Sequence, residues 1–378
     1  MNLTFRSLSD DQIGPAWHAV FDHGWSGWRE WYLTRRGPDP VPLEVCRRML
    51  RRHMPGLERS WDNWVSAVDG DDDVARFLSF WSPPRYLVNC SQIAFVDDQG
   101  PVLIRNYDLD PRLNEATLLK TAWHGHDVIG MVEGMAGLSD GMNRAGLALS
   151  LTFGGRVEHQ TGFGIPLIMR YVLETCRDIQ DAIAAFRSIP SHMSYNITMI
   201  DRTGDTATLM LSPDRPLIVR QEPWATNHQL GVEWPRHGRL SKTIERGVHL
   251  DRLVAGSRLT GEAMMREFLT TPLFSCGYDR GFGTVFTSVY RPAAGTVNLV
   301  WGDGAPHSWG FDDFAHRSLD VRYSAQGSHA ARTDTNHLAR DEEARLSAIS
   351  ARNTYENLHR WNNLNTMVAR QHDTGGTA

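Results

Sequence analysis

Apolar positions change their period along this chain, and the change marks out its elements. In residues 42–54 the apolar Leu43, Cys46, Leu50 and Met54 recur at helical spacing with Arg47, Arg48, Arg51 and Arg52 between them. One face is therefore buried and the other solvated. Residues 1–84 read as mostly helical and rich in tryptophan (Trp17, Trp25, Trp28, Trp31, Trp61, Trp64 and Trp81). Tryptophans of this kind mark packing ahead of a ligand box, in either an independent cap or a segment laid across a later sheet. From residue 85 the pattern shortens to that of strands. Apolar and β-branched residues fill 85–96 and 102–108, and Asp97-Asp98-Gln99-Gly100-Pro101 breaks them as a turn, so the two runs predict a β-hairpin.

Beyond it, residues 127–133 predict a strand, and the glycine-punctuated run 134–155 predicts a strand, a turn around Gly141-Met142-Asn143 and a second strand. Residues 164–188 predict two helices, the second capped by Asp178, with Ile179, Ala182, Ile183 and Phe186 on one face. Strands return at 195–201, 206–211, 216–220 and 223–227, followed by helices at 239–255 and 261–269 and strands at 283–290 and 296–301. Residues 325–338 read as a polar linker and 341–367 as a surface helix. There is no internal repeat. Strands, then helices, then strands again imply an α+β fold of two antiparallel sheets with helices packed outside, not alternating βαβ units.

Composition narrows the function without naming it. The 378 residues are 41% hydrophobic, enough to bury a core in one large domain or two. With 39 Lys and Arg scattered among 44 Asp and Glu and a net charge of −5, no nucleic-acid footprint appears. No apolar run reaches the length of a membrane span, and the first residues lack a basic region followed by an apolar run. The expectation is a cytoplasmic protein with no membrane partner. Cys46, Cys90, Cys176 and Cys276 are far apart and match no metal or disulfide framework, so they read as reduced thiols.

Only Cys90 has useful neighbours. If the hairpin arms pair through the turn, Arg105 and Asp108 on the return strand fall near it, and a cation beside a thiol favours the nucleophilic thiolate. The competing reading is an inert core cysteine beside a strand-end ion pair. A metal site at His124-Gly125-His126 with Asp127 is the other alternative. It supplies two imidazoles on one strand face and an opposite-facing carboxylate, too few ligands, and His192, His228, His237 and His249 are scattered singles. Neither a metal nor a cofactor is expected.

Four motifs in order carry a resemblance: Asn89-Cys90-Ser91, Arg105-Asn106-Tyr107-Asp108, Ser139-Asp140-Gly141-Met142-Asn143-Arg144-Ala145-Gly146-Leu147 and Ala225-Thr226-Asn227-His228. Together they resemble the cysteine N-terminal-nucleophile (Ntn) hydrolases, closest to the penicillin acyl-CoA acyltransferase-like family and more distantly the bile salt hydrolases. The likeness runs from about Cys90 to Trp301. It implies an αββα sandwich in which Cys90 becomes a new N-terminus when the Asn89–Cys90 bond breaks. Its thiol is then the nucleophile and its freed α-amine the general base. The resemblance further implies that Asp108 holds the α-amine, Arg105 stabilises the thiolate or the substrate's polar end, and Asn227 donates to the oxyanion. Thr243-Ile244-Glu245-Arg246 resembles the family's Ser-x-x-Arg helix start, which would bring Arg246 to the site, although a surface arginine is an equal reading.

The chain departs from the family twice. Bile salt hydrolases have an asparagine where this chain has Thr152, so the second oxyanion donor is either a backbone N–H or the Thr152 hydroxyl. The acyltransferase prototype has glycine before the nucleophile, where this chain has Asn89. The expected organisation is a helical N-terminal segment 1–89, a candidate pro-segment or small subunit; an Ntn-hydrolase core 90–324; and a polar linker with a C-terminal surface helix, 325–378. The expected activity is hydrolysis of a linear, non-peptide amide of a small acylated amine or amino acid through a Cys90 thioester. Acyl transfer from a CoA thioester or amide is the alternative, a non-catalytic binding protein on the same fold the second, and a homo-oligomer is left open.

Overall fold

A computed structural model describes residues 1–332 apart from 257–259 and 303. The chain opens with strand β1 (Asn2–Asp10) and helices α1 (Pro15–Arg35), α2 (Leu43–His53), α3 (Leu57–Ala67) and α4 (Asp72–Leu78). Two strands follow, β2 (Asn89–Asp97) and β3 (Gly100–Leu109), then β4 (Thr117–Thr121), β5 (Val128–Glu133), β6 (Gly137–Asn143) and β7 (Leu147–Phe153). Helices α5 (Ile165–Thr175) and α6 (Ile179–Ser188) lead to β8 (Tyr195–Asp201), β9 (Thr206–Leu211), β10 (Ile218–Arg220) and β11 (Trp224–Ala225). Helices α7 (Pro235–Leu240), α8 (Thr243–Ala255) and α9 (Gly261–Phe268) precede β12 (Gly283–Arg291), β13 (Thr296–Val300), β14 (His307–Gly310), β15 (Arg317–Ser324) and β16 (Gly327–Arg332).

The strands form two sheets. One has ten strands in the order β10-β9-β8-β7-β6-β5-β4-β1-β15-β16, the other six in the order β11-β2-β3-β12-β13-β14. Every described pairing is antiparallel except β1 with β4. Helices α5 and α6 cover the outer face of the large sheet, and α8 and α9 cover the small one at β11 and β3. The fold is thus the expected α+β, αββα four-layer sandwich. Period-two alternation builds it: along β2, Ile93 and Phe95 join Leu250, Met264 and Phe268 under the helices, while Cys90 and Ala94 join the core between the sheets.

The N-terminal segment is not purely helical. Residues 2–10 form β1, an interior strand that pairs antiparallel with β15 and parallel with β4. Leu3 and Phe5 alternate with polar Thr4 and Arg6, a period-two signal too short to stand out beside the tryptophan-rich helices that follow. The turn expected at Gly141-Met142-Asn143 also lies elsewhere: these residues end β6, and the chain reverses at Arg144–Gly146, where Asn143 Oδ1 accepts from Gly146 N and Leu147 N. Gly141 answers a close approach instead, because a Cβ there would meet the Ile129 carbonyl oxygen at 2.8 Å. His124–His126 lie in a loop before β5, not on a strand, and among the described residues no three His, Cys, Asp or Glu side chains gather as a metal site. Of the expected linker, 327–332 form β16 against β15; residues 333–378, including the expected helix 341–367, lie outside the described residues. No described helix is long and apolar enough to cross a membrane.

Candidate active site

The β2–β3 hairpin fixes the site by register. Asp97 faces Gly100 across the turn, and the ladder then pairs Gln92 with Arg105, Cys90 with Tyr107 and Asn89 with Asp108. Strand alternation sends Arg105 and Tyr107 into the space between the sheets, and Asn106 and Asp108 toward the helices. Accordingly Arg105 Nη2 donates to Cys90 Sγ at 3.1 Å, whereas Asn106 Nδ2 donates to the Phe268 carbonyl at 2.6 Å. The guanidinium is held from two further sides, while its Nε has no partner. Nη1 reaches Asp140 Oδ2 at 3.2 Å, the Tyr107 ring lies 4.6 Å below, and Asp140 accepts from Ser288 Oγ and Tyr290 Oη.

Asn227 follows β11, whose Ala225 pairs with Gln92, so the chain runs on beside Cys90. Asn196 Nδ2 clamps this stretch through the Thr226 and His228 carbonyls at 2.9 and 2.8 Å. The backbone of Gly155, at φ +70°, packs so closely that a Cβ would run into the Asn227 carbonyl oxygen. Asn227 Oδ1 accepts the Cys90 N–H at 3.2 Å, and its Nδ2 donates to Thr152 Oγ1 at 2.7 Å, to the Phe153 carbonyl and to the Val88 carbonyl. The two oxyanion candidates are therefore bonded to each other in the uncut chain.

Arg246 is not a surface arginine. It lies buried on α8, where Nη1 donates to the Cys90 carbonyl at 2.6 Å and to Ser91 Oγ at 2.8 Å, and Nη2 to Asn227 Oδ1 at 2.6 Å. Asp108 stands 3.8 Å from Arg246 and accepts from Thr284 Oγ1 at 2.7 Å. It makes no described bond to Cys90, whose N–H belongs to Asn227. All six expected residues thus converge, Arg105 on the sulfur side of Cys90 and Asp108, Arg246 and Asn227 along its main chain.

Burial sets the charges. It pushes the Cys90 thiol up to about 12, against the pull of Arg105, so the thiol is neutral in the uncut chain. Burial likewise raises Asp108 to about 6 against Arg246, Thr284 and Arg105. Sequence reasoning gave no role to Asp140, Ser91 or Thr284. Asp140 lay within a quoted motif, but its contact with Arg105 crosses from β6 to β3 between the two sheets, a meeting no local spacing reports.

A cavity of about 100 Å³ opens between α1 and the strands, walled by Trp28, Trp31, Tyr86, Val88, Tyr107 and Glu133 among others; none of the six site residues lines it, and it meets the site through Tyr107, the cross-strand neighbour of Cys90. The aromatics Trp123, Phe153, Phe163, Trp224 and Phe286 do not line it. Phe153, Phe163 and Phe286 are fully buried core, and the aromatic wall comes instead from tryptophans of the N-terminal segment.

The model of the family described as acyl-coenzyme A:6-aminopenicillanic acid acyl-transferase matches residues 96–306, more than half of the chain. The chain belongs to that family. The resemblance carried by the four motifs is thereby borne out, and the match takes in Arg105, Asp108, Thr152, Asn227 and Arg246 but begins six residues after Cys90. Among solved structures, the chain is similar to a conjugated bile acid hydrolase of Clostridium perfringens (13% identity, 65% of this chain and 97% of that one, TM-score 0.44). It is also similar to a penicillin V acylase of Agrobacterium tumefaciens (12%, 61% and 90%, 0.39) and to an N-acylethanolamine-hydrolyzing acid amidase ortholog of Caenorhabditis elegans (17%, 54% and 93%, 0.39). No curated protein matches.

Proposed function

We propose that the chain is a cysteine amidohydrolase that activates itself by cutting the Asn89–Cys90 bond and then cleaves small, non-peptide N-acyl amines through a Cys90 thioester. The observation that carries this reading is the Arg105 guanidinium on the Cys90 sulfur at 3.1 Å, in a site where both are fully buried. Burying a cation is costly unless its partners hold it, and an inert core cysteine gives no reason to bear that cost.

In self-cleavage the thiol adds to the Asn89 carbonyl carbon, the bond to the Cys90 nitrogen breaks, and the thiol proton ends on the released amine. Water then hydrolyses the Asn89 thioester, leaving the thiol and a free α-amine. That amine, with an ordinary pKa of about 7.7–8.0, next takes the thiol proton as the sulfur attacks a substrate carbonyl, and returns it to the departing amine. Asn227 is released from the former Cys90 N–H and the Val88 carbonyl and can turn its amide to the oxyanion, with Thr152 beside it. Asp108 and Arg246 stay next to the new N-terminus. Residues 1–89 are then the small subunit and the core begins at Cys90.

The family's name favours a second reading, in which an amine instead of water resolves the thioester. Both share the acylation half. Intact-mass measurement with iodoacetamide tests the common part: two fragments parting at Asn89/Cys90, with the label on Cys90, are expected. A single uncut, unlabelled and inactive chain would overturn it in favour of a binding protein. A panel of N-acyl amines and acyl-CoA thioesters, scored for hydrolysis and aminolysis, separates the two resolutions.

A further inference from the structure

Glu133, the last residue of β5, is a buried carboxylate that the chemistry above leaves unused. Its Oε2 is enclosed and has no hydrogen-bond partner, and the residue lines the cavity that meets the site through Tyr107. The neighbouring Glu115 is fully occupied, accepting from Trp28 Nε1, Met135 N and Gly134 N. Two cations stand nearby: Arg105 is committed to Asp140 and the Cys90 sulfur, and Arg112, which lines the same cavity, is paired with Asp110. Burial pushes the Glu133 carboxyl up to about 8, with the charge of Glu115 adding to it and Arg105 and the Tyr107 hydroxyl pulling the other way. Trp28, Trp31, Tyr86 and Tyr107 supply aromatic faces to the same cavity, which Glu115 also lines.

A buried carboxylate in the wall of an aromatic cavity fits an ammonium, which meets ring faces and a carboxylate together. The direction follows from the chain itself. Tyr86, Leu87 and Val88 line the cavity and belong to the acyl side of the Asn89–Cys90 amide, so the cavity lies where an acyl group points when its carbonyl meets the sulfur. We infer that Glu133 is a specificity residue that selects substrates whose acyl chain ends in a primary amine. The inference rests on the acyl-enzyme reading only for the direction in which the substrate lies.

The test separates the two claims. Binding of 6-aminohexanamide and heptanamide, which differ by an ammonium against a methyl, is measured by calorimetry on the uncut Cys90→Ala chain. A preference of ~10-fold or more for the amine is expected, the scale of a hydrogen bond to a charged group. Glu133→Gln in the same background should remove the preference while leaving heptanamide affinity unchanged. Equal binding of the two amides, or a preference that survives Glu133→Gln, overturns the inference whatever the enzyme does. Turnover of the matching anilides by the wild-type chain reports separately on Cys90: selective binding without turnover would sink the catalytic reading and leave the ammonium site standing.

Discussion

At the scale of single residues, the proposed mechanism gives Cys90 and Asn227 different jobs, and substitution should separate them. Cys90→Ala removes the proposed nucleophile, so self-cleavage and turnover should vanish together in mass spectra and amidase assays, while Cys90→Ser should keep slow processing. Asn227→Ala should lower turnover by ~10²–10³-fold, the usual loss of an oxyanion donor, and processing far less. Equal losses in both steps would show that Asn227 serves the scissile bond and not the substrate. Asp108 gives a pH signature. Its value of about 6 in the folded chain lies above the ~3.9 of a free aspartate, so the folded state binds this proton more tightly. Its contribution to stability is therefore present below about pH 4 and is lost as pH rises toward about 6. Urea titrations of uncut Cys90→Ala chains, with and without Asp108→Asn, should differ in slope across that window; parallel curves would refute the assignment. Why Arg105 was legible in the sequence and Asp140 was not follows from distance along the chain. Arg105 returns to Cys90 through one hairpin, whereas Asp140 reaches Arg105 from another sheet.

At the scale of elements, the hairpin, the helix pair α5–α6 and the outer helices α8 and α9 could be read because each carries its own period and its own stop. The reversal after β6 could not, since Gly141 looks the same in a sequence whether it turns the chain or admits a neighbour. Its true role makes a prediction. In Gly141→Ala the new Cβ would meet the Ile129 carbonyl at 2.8 Å and Leu173 Cδ1 at 2.9 Å, and backbone cannot step aside as a side chain does. The cost should be ~1–3 kcal/mol, read as a lowered melting temperature. Because Asp140 precedes it and steadies Arg105, alkylation of Cys90 should change as well. Loss of stability with unchanged Cys90 reactivity would separate β6 packing from the site.

At the scale of the whole molecule, the consequence of cutting depends on β1. A helical pro-segment lying on a finished core could fall away, but β1 lies inside the ten-stranded sheet with β4 on one side and β15 on the other, joined to both by ladders. Removing it would expose two strand edges and the apolar faces around Phe5, which packs edge-on against Trp301 and Phe286. Helix α1 adds a second tie, since Trp28 Nε1 donates to Glu115 and the helix closes the cavity that meets the site through Tyr107. The 1–89 fragment should therefore remain bound after the Asn89–Cys90 bond is cut, held by main-chain pairing that does not pass through that bond. Size-exclusion chromatography of the processed protein should give one peak containing both fragments, which part only in denaturant. If the fragments separate in native buffer with activity intact, α1 cannot form a wall of the working acyl pocket, and the cavity belongs to the precursor alone.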